Sequence, residues 1–218
     1  MGRVFLAAVL IAGLAIRLAL AVSIDRPLVS DERDYDALAW TLATTGRYTV
    51  DGRPTAYRAV GYPVFLAGVY SLAGRSPRAV RVVQSVLDTA TALLLFVALR
   101  GRSRRAAVAA AAIWAFYPPA IATTTLLYSE SLFCFLLALA AVGLLREPGR
   151  SPPFRVALGV LFGALTLIKV ATLYLFALLP WVALRGEGKW RRAALLLAGL
   201  LLVVAPWIWR NARVAGVP

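Results

Sequence analysis

The chain has 218 residues and is 61% hydrophobic, with a mean hydropathy of +0.77. Soluble globular domains are about 45–50% apolar, so this composition excludes an ordinary soluble domain and reads as a membrane protein. The formal charge of +14 does not gather on one face but in short clusters between apolar runs, which excludes nucleic-acid binding and fits the encoding of membrane topology. The absence of histidine excludes a Ser-His-Asp hydrolase, and the lone Cys134 excludes an intrachain disulfide or a cysteine metal cluster.

In chain order, Val4 to Val22 is the first apolar run and reads as an uncleaved span. Arg17, in its last third, is placed to snorkel to the interface or to face a site. Residues 23–78 form a long polar loop. Within it the spacing of Tyr35, Leu38, Ala39 and Leu42 predicts an amphipathic helix over 34–45 with Gly46 as its stop. Asp51-Gly52 predicts a tight turn within 49–53, and 62–72 reads as a second interfacial helix too short to span. The next span covers 82–99 and contains Gln84 and Asp88, of which Asp88 is expected to pair with a neighbouring helix. Residues 106–127 form a third span, broken near Tyr117-Pro118-Pro119 because proline removes a backbone donor. After the turn at Tyr128-Ser129-Glu130 the chain returns over 131–145. Residues 156–181 read as two short segments meeting at Lys169, and 193–209 as the final span before Arg210-Asn211.

The expected fold is therefore an all-α, polytopic membrane helix bundle of about seven membrane segments, with a large first extracytoplasmic loop carrying interfacial helices. The connectors at 100–105, 146–155 and 185–192 are basic and share one side with Arg3, which the positive-inside rule makes cytoplasmic. The loop at 23–78, Glu130, Lys169 and Arg210 then fall on the other side. Six of the ten carboxylates lie between Asp25 and Asp51. Carboxylates clustered where a membrane helix meets water can deprotonate, orient or coordinate a ligand at the membrane surface. No inverted internal repeat of the kind that marks many transporters is visible.

Four motifs carry a family resemblance: Asp31-Glu32-x-x-Tyr35; Thr55-Ala-Tyr57-Arg58 followed by Gly61-Tyr62-Pro63; Tyr117-Pro118 followed by Ser129-Glu130; and Ala205-Pro206-Trp207-x-x-Arg210-Asn211. With these the chain resembles the GT-C superfamily of polyprenyl-phosphate-sugar-dependent glycosyltransferases, close to bacterial relatives of protein O-mannosyltransferases and lipid A aminoarabinose transferases. Val60 departs from a family proline, and Lys169-Val170 stands where the family often has Arg-Pro. The resemblance covers nearly the whole chain as one transmembrane module, 1–218, and implies that the carboxy-terminal part usual in the family is missing.

The resemblance implies a membrane glycosyltransferase of the hexosyl- or pentosyltransferase class, in a bacterial plasma membrane with its active site on the extracytoplasmic side. Its partners would be a polyprenyl-phosphate-linked sugar donor, a lipid, glycan or protein acceptor, and membrane lipids. Asp31 would be the general base, with Glu32 orienting the acceptor or holding a metal. Both acids also suit the start of a helix, where the dipole favours negative charge. Arg58, Lys169 and Arg210 would neutralise the donor phosphate. Arginine brings a bidentate fork, whereas Lys169 is a point charge, and Arg210 reads equally as an interfacial anchor beside its tryptophans. Glu130 would bind donor sugar hydroxyls or pair with Lys169, and Tyr35 and Tyr62 would line the sugar pocket. No cofactor is implied other than a divalent metal ion, for which Asp31 and Glu32 would be the ligands if one is used. The alternatives are a lipid or sugar transporter and a non-catalytic, truncated membrane module.

Overall fold

In lipid there is no water to satisfy peptide groups, so long apolar runs close their hydrogen bonds within helices. The computed structural model describes residues 2–147, 150–174 and 188–215, whose regular structure is helical apart from one short hairpin. The chain divides into two units, Met1–Tyr48 with Tyr62–Val142, and Thr49–Gly61 with Gly143–Pro218.

The first unit contains α1 (Gly2–Ser23), α2 (Asp31–Thr45), α3 (Gly61–Ala73), α4 (Pro77–Leu99), α5 (Arg104–Ala115), α6 (Pro118–Thr124) and α7 (Glu130–Leu145). Local sequence explains the boundaries. Gly46 takes a left-handed conformation, φ 68°, and its N–H closes α2 on the Leu42 carbonyl. Ser76 and Ser103 cap α4 and α5, accepting from the amides of Ala79 and Ala106. Proline occupies the first turn of α4, α6 and α8 (Pro152–Ile168), where a missing N–H costs nothing. Helices therefore begin before their apolar runs do: α4 starts at Pro77 rather than 82, and α2 at Asp31 rather than 34.

Among the described residues three helices are long and apolar enough to cross a membrane: Val4–Ser23, Pro77–Leu99 and Lys189–Val214. A fourth arises if α5 and α6, bent by 51°, count as one broken span. This is fewer than the seven segments expected. α3, α7 and α8 are apolar but only 13, 16 and 17 residues long, because glycine, proline and polar connectors end them early. The part of the expected 156–181 segment beyond Tyr174 lies outside the described residues.

α4 packs against α1 and α5 through a face that is polar. Arg81, Gln84, Ser85, Asp88 and Thr91 recur at helical spacing and are all buried, while Val86 and Leu93 on other faces are exposed. Arg17 of α1, with no exposed surface, pairs with Asp88 at 2.6–2.8 Å. It neither snorkels nor faces a site. The same guanidinium donates to the carbonyls of Ala115 at 2.6 Å and Trp114 at 3.2 Å. Those carbonyls would take their helical bonds from residues 118 and 119, which are prolines and have no N–H to give. Trp114 completes the knot by donating its indole N–H to Asp88 at 3.2 Å. Close approach is allowed by Gly13, where an added methyl would lie 3.1 Å from the Ala115 side chain.

The second unit contains a hairpin, β1 (Thr49–Val50) and β2 (Arg53–Pro54), with α8 (Pro152–Ile168) and α9 (Lys189–Ala215). Asp51 and Gly52 both take positive φ, 49° and 76°, the signature of the type I′ turn that matches hairpin twist. α8 and α9 cross at glycines. Gly159 and Gly163 form a Gly-x-x-x-Gly face, and a methyl at Gly159 would overlap the Leu196 carbonyl of α9. α9 continues past Trp209 to Ala215, so Arg210 and Asn211 lie within a helix and not in a tail.

Removing one member of a buried ion pair leaves an uncompensated charge and costs about 3–5 kcal/mol. Asp88→Leu is expected to lower the thermal unfolding midpoint in detergent strongly, through the stranded Arg17 charge. The Arg17→Met, Asp88→Leu double variant should recover only part of the loss, because the Ala115 carbonyl loses the Arg17 donor. A wild-type midpoint for Asp88→Leu contradicts this role.

Candidate active site

The acidic motif opens α2, and its four carboxylates divide by helical position. Glu32 and Asp36, four residues apart, are buried, whereas Asp31 and Asp34 are half-buried. Glu32 has both oxygens engaged. Arg26 grips it with two bonds of 2.7 and 3.0 Å, and the amides of Val29 at 3.1 Å and Leu127 at 2.9 Å complete the set. Asp36 accepts from the Tyr70 hydroxyl at 2.6 Å and from Arg75 at 2.5–3.0 Å, tying α2 to the α3 end. Two of the four acids are therefore anchors, and Arg26 and Arg75 are the partners that the sequence reading did not identify.

The segment before α2 is held tightly. Arg26 and Arg33 donate to the carbonyls of Pro27 and Leu28, and Ser30, immediately before Asp31, takes φ 48°. A non-glycine residue there stores roughly 1–3 kcal/mol and persists only when its surroundings hold it. The Glu32 bonds to Arg26 and Val29 provide that hold. They fix Asp31 at the first position of α2, where the helix dipole stabilises a carboxylate.

Tyr35 and Tyr62 meet edge to face, with centroids 4.9 Å apart. The Tyr62 hydroxyl donates to Gln84 at 2.6 Å, and Gln84 donates to the carbonyls of Leu126 at 2.7 Å and Thr124 at 3.3 Å. Burial pushes the Tyr62 phenol well above its ordinary value, and the nearby charges of Glu130 and Glu32 push it the same way, so it remains a donor. Gln84 and Glu32 together satisfy the irregular stretch 124–127 that leads into Glu130, the first residue of α7. Thus Asp31, Glu32, Tyr35, Tyr62 and Glu130 all belong to the first unit, where Glu32, Tyr62 and Gln84 form a hydrogen-bonded frame through 124–127.

Arg81 also lies in this frame. Its side chain is buried, it donates to the Ile24 carbonyl at 2.8 Å, and its Nε has no partner among the described residues. It lies one residue before the span expected at 82–99 and was not among the expected site residues. The signal was present in the helical spacing of 81, 84, 85 and 88.

The three cations predicted for a phosphate all lie in the second unit. Arg210 of α9 donates to the carbonyl of Thr55 and, at 3.0 Å, to Asn211, and lies 4.8 Å over the Trp207 ring. Arg58 sits 4.8 Å over the ring of Tyr57 in the same loop. Gly61 ends that loop against α8, where an added methyl would come 2.7–2.8 Å from Leu167 and Ile168. Lys169 follows directly as the C-cap of α8, with extended backbone. The break expected at Lys169 is therefore present. One loop, 55–61, is bracketed by the helix bearing Arg210 and by the helix end bearing Lys169, and itself carries Arg58.

A divalent ion does not fit Glu32, whose oxygens already face the Arg26 guanidinium and two amides. No group of three or more metal-ligating side chains occurs among the described residues.

Burial alone would raise the Glu32 carboxyl, but the Arg26 and amide bonds outweigh it and hold the group below its ordinary value of 4.5. A depressed carboxylate stabilises the fold above its unfolded pKa and loses that contribution as pH falls through the folded one. Wild-type stability should therefore fall on acidification below pH 4.5. Glu32→Gln should cost about 1–3 kcal/mol at neutral pH and flatten this acid limb. Thermal unfolding from pH 7 downward measures both, and an unchanged acid limb in the variant contradicts the clamp.

No curated protein and no solved structure matches the chain. Residues 57–209, well over half of the sequence, match the family model described as dolichyl-phosphate-mannose-protein mannosyltransferase. That span takes in Arg58, Tyr62, Glu130 and Lys169, leaves Asp31 and Glu32 before it, and stops one residue short of Arg210. A membrane-embedded helical protein with these motifs in order, the chain belongs to the dolichyl-phosphate-mannose-protein mannosyltransferase family.

Proposed function

We propose that the protein is a glycosyltransferase module that moves a sugar from a polyprenyl-phosphate carrier to an acceptor hydroxyl on the extracytoplasmic face of the membrane. What supports this reading is that the loop 55–61 carries Arg58, takes a bond from Arg210 at its start and packs at Gly61 against the end of α8, next to Lys169 in sequence. A cluster of cations at the ends of apolar helices suits an anionic group carried on a lipid tail. Family membership supports a lipid-phosphate-linked donor.

In the reaction the acceptor oxygen forms a bond to the anomeric carbon, and the bond from that carbon to the phosphate oxygen breaks. The acceptor proton passes to the Asp31 carboxylate, and the carrier leaves as polyprenyl phosphate. Asp31 is chosen over Glu32 because the latter is occupied as an anchor. Glu32 acts by fixing the strained entry to α2 and so positioning Asp31. Arg58 and Arg210 offer guanidinium forks to the departing phosphate, and Lys169 a third charge. Tyr35 and Glu130 would meet the ring face and hydroxyls of the sugar, whereas Tyr62, buried with its hydroxyl on Gln84, would hold Tyr35 from behind.

Asp31→Asn is expected to lower transfer from polyprenyl-phosphate mannose by roughly 10²–10⁴-fold in liposomes, with an unchanged unfolding midpoint. Transfer at a near wild-type rate by this variant would remove Asp31 from the mechanism. Lys169→Met should weaken donor binding or turnover, whereas Lys169→Arg keeps the charge and should retain much of the activity. Wild-type binding and turnover by Lys169→Met make Lys169 a structural charge only.

A further inference from the structure

α1 begins at the end of the first unit that carries the basic loop at 100–105, and a second feature lies there. Arg104, Arg105, Val108, Ala109 and Ala112 recur at the spacing of one helical face, and with Phe5 of α1 they line an open groove of ≈ 720 Å³. Alanine at 109 and 112 leaves the floor shallow, and Phe5 is 56% exposed beside it. The groove has apolar walls and a cationic mouth. Arg104 and Arg105 are exposed, and neither is engaged by a carboxylate among the described residues. The nearest acids in sequence are Asp88, committed to Arg17, and Glu130.

This pattern asks for a ligand with one anionic head and a hydrocarbon tail. Paired guanidiniums suit phosphate oxygens, and basic pockets beside membrane helices recognise anionic headgroups. A zwitterionic lipid brings an ammonium that the arginines repel. We propose that the groove binds an anionic phospholipid of the surrounding bilayer, its phosphate on Arg104 and Arg105 and one acyl chain along Phe5, Val108, Ala109 and Ala112. The occupant is a bilayer phospholipid and not the donor carrier. The groove lies at Phe5, near the start of α1, about 27 Å along that helix from its end at Ser23, which leads to Asp31.

The test is native mass spectrometry of the full chain in detergent, titrated with phosphatidylglycerol and phosphatidylcholine of identical acyl chains. Wild type should retain phosphatidylglycerol with a preference of roughly thirtyfold, as two basic residues near a membrane surface supply. Arg104→Gln with Arg105→Gln should abolish the preference. Ala109→Phe fills the groove while leaving both charges, and should lower phosphatidylglycerol retention at least about tenfold, since an overfilled site rejects the chain. Equal retention of the two lipids by wild type overturns the proposal, as does a preference that survives both variants. Displacement of phosphatidylglycerol by equimolar undecaprenyl phosphate would also overturn it, since the groove would then hold the carrier. Lipid retention is read without any transfer assay, so this outcome is independent of the catalytic reading.

Discussion

Peptide and charged groups removed from water must find partners inside the protein, and α4 supplies most of them in the first unit. Its buried polar face runs from Arg81 to Thr91. Three of its side chains each meet a break in another element, while Ser85 and Thr91 donate to carbonyls of α4 itself. Arg81 takes the Ile24 carbonyl just after α1, Gln84 takes the carbonyls that end α6, and Asp88 holds Arg17 over the carbonyls that lose their helical donors to Pro118 and Pro119, of which that of Trp114 also accepts from the Tyr117 amide. The prolines make the bend between α5 and α6 possible, and the Arg17–Asp88 pair makes it tolerable in an apolar setting. Replacing any one of these groups leaves another unpaired, so the face behaves as a unit.

The same logic shapes the candidate site. Stretch 124–127 is irregular, and its polar groups are met by Gln84 from one side and Glu32 from another. Glu32 is thereby both the end of a structural network and the neighbour of the proposed base. A carboxylate held by a guanidinium and two amides is a poor proton acceptor, because its charge is already stabilised. Division of labour within Asp31-Glu32-x-x-Tyr35 follows. Glu32 and Asp36 are buried and paired with Arg26 and Arg75, and Asp31 takes the helix terminus, half-buried, with its backbone fixed by the residue before it. In the second unit the loop 55–61 plays a comparable part, since Arg210 binds its beginning and Gly61 seats its end beside Lys169.

Much of this was legible in the sequence where a single local rule decides. The spacing of Tyr35, Leu38, Ala39 and Leu42 gave α2, Gly46 its end, Asp51-Gly52 the hairpin, Pro118-Pro119 the bend, and Lys169 the end of α8. Helix starts were misjudged wherever proline or acids preceded the apolar run, because hydrophobicity marks the buried part of a helix and not its capped first turn. The extension of α9 through Arg210 has a related cause: polar residues near a membrane edge read as a loop, yet no glycine or proline follows until Gly216 and the helix runs on. Pairings were mostly illegible. Arg17 and Asp88 lie 71 positions apart, and Glu32 and Leu127 lie 95 apart, so nothing in their spacing connects them. The role of Glu32 could be read only as acidic and near Asp31, and its partners decided the rest.

The central claim is that the residues around Asp31 act on the side of the membrane opposite the basic connectors, where lipid-linked sugars of this chemistry would be used. Sidedness tests it most directly. With Cys134→Ser as background, Thr44→Cys at the exposed end of α2 and Arg102→Cys in the exposed basic loop can be labelled in intact cells with a membrane-impermeant thiol reagent. The account predicts that the cysteine at 44 reacts and the cysteine at 102 reacts only after the cells are opened. Labelling at 102 in intact cells, with protection at 44, would place the carboxylates in the cytoplasm and contradict the account.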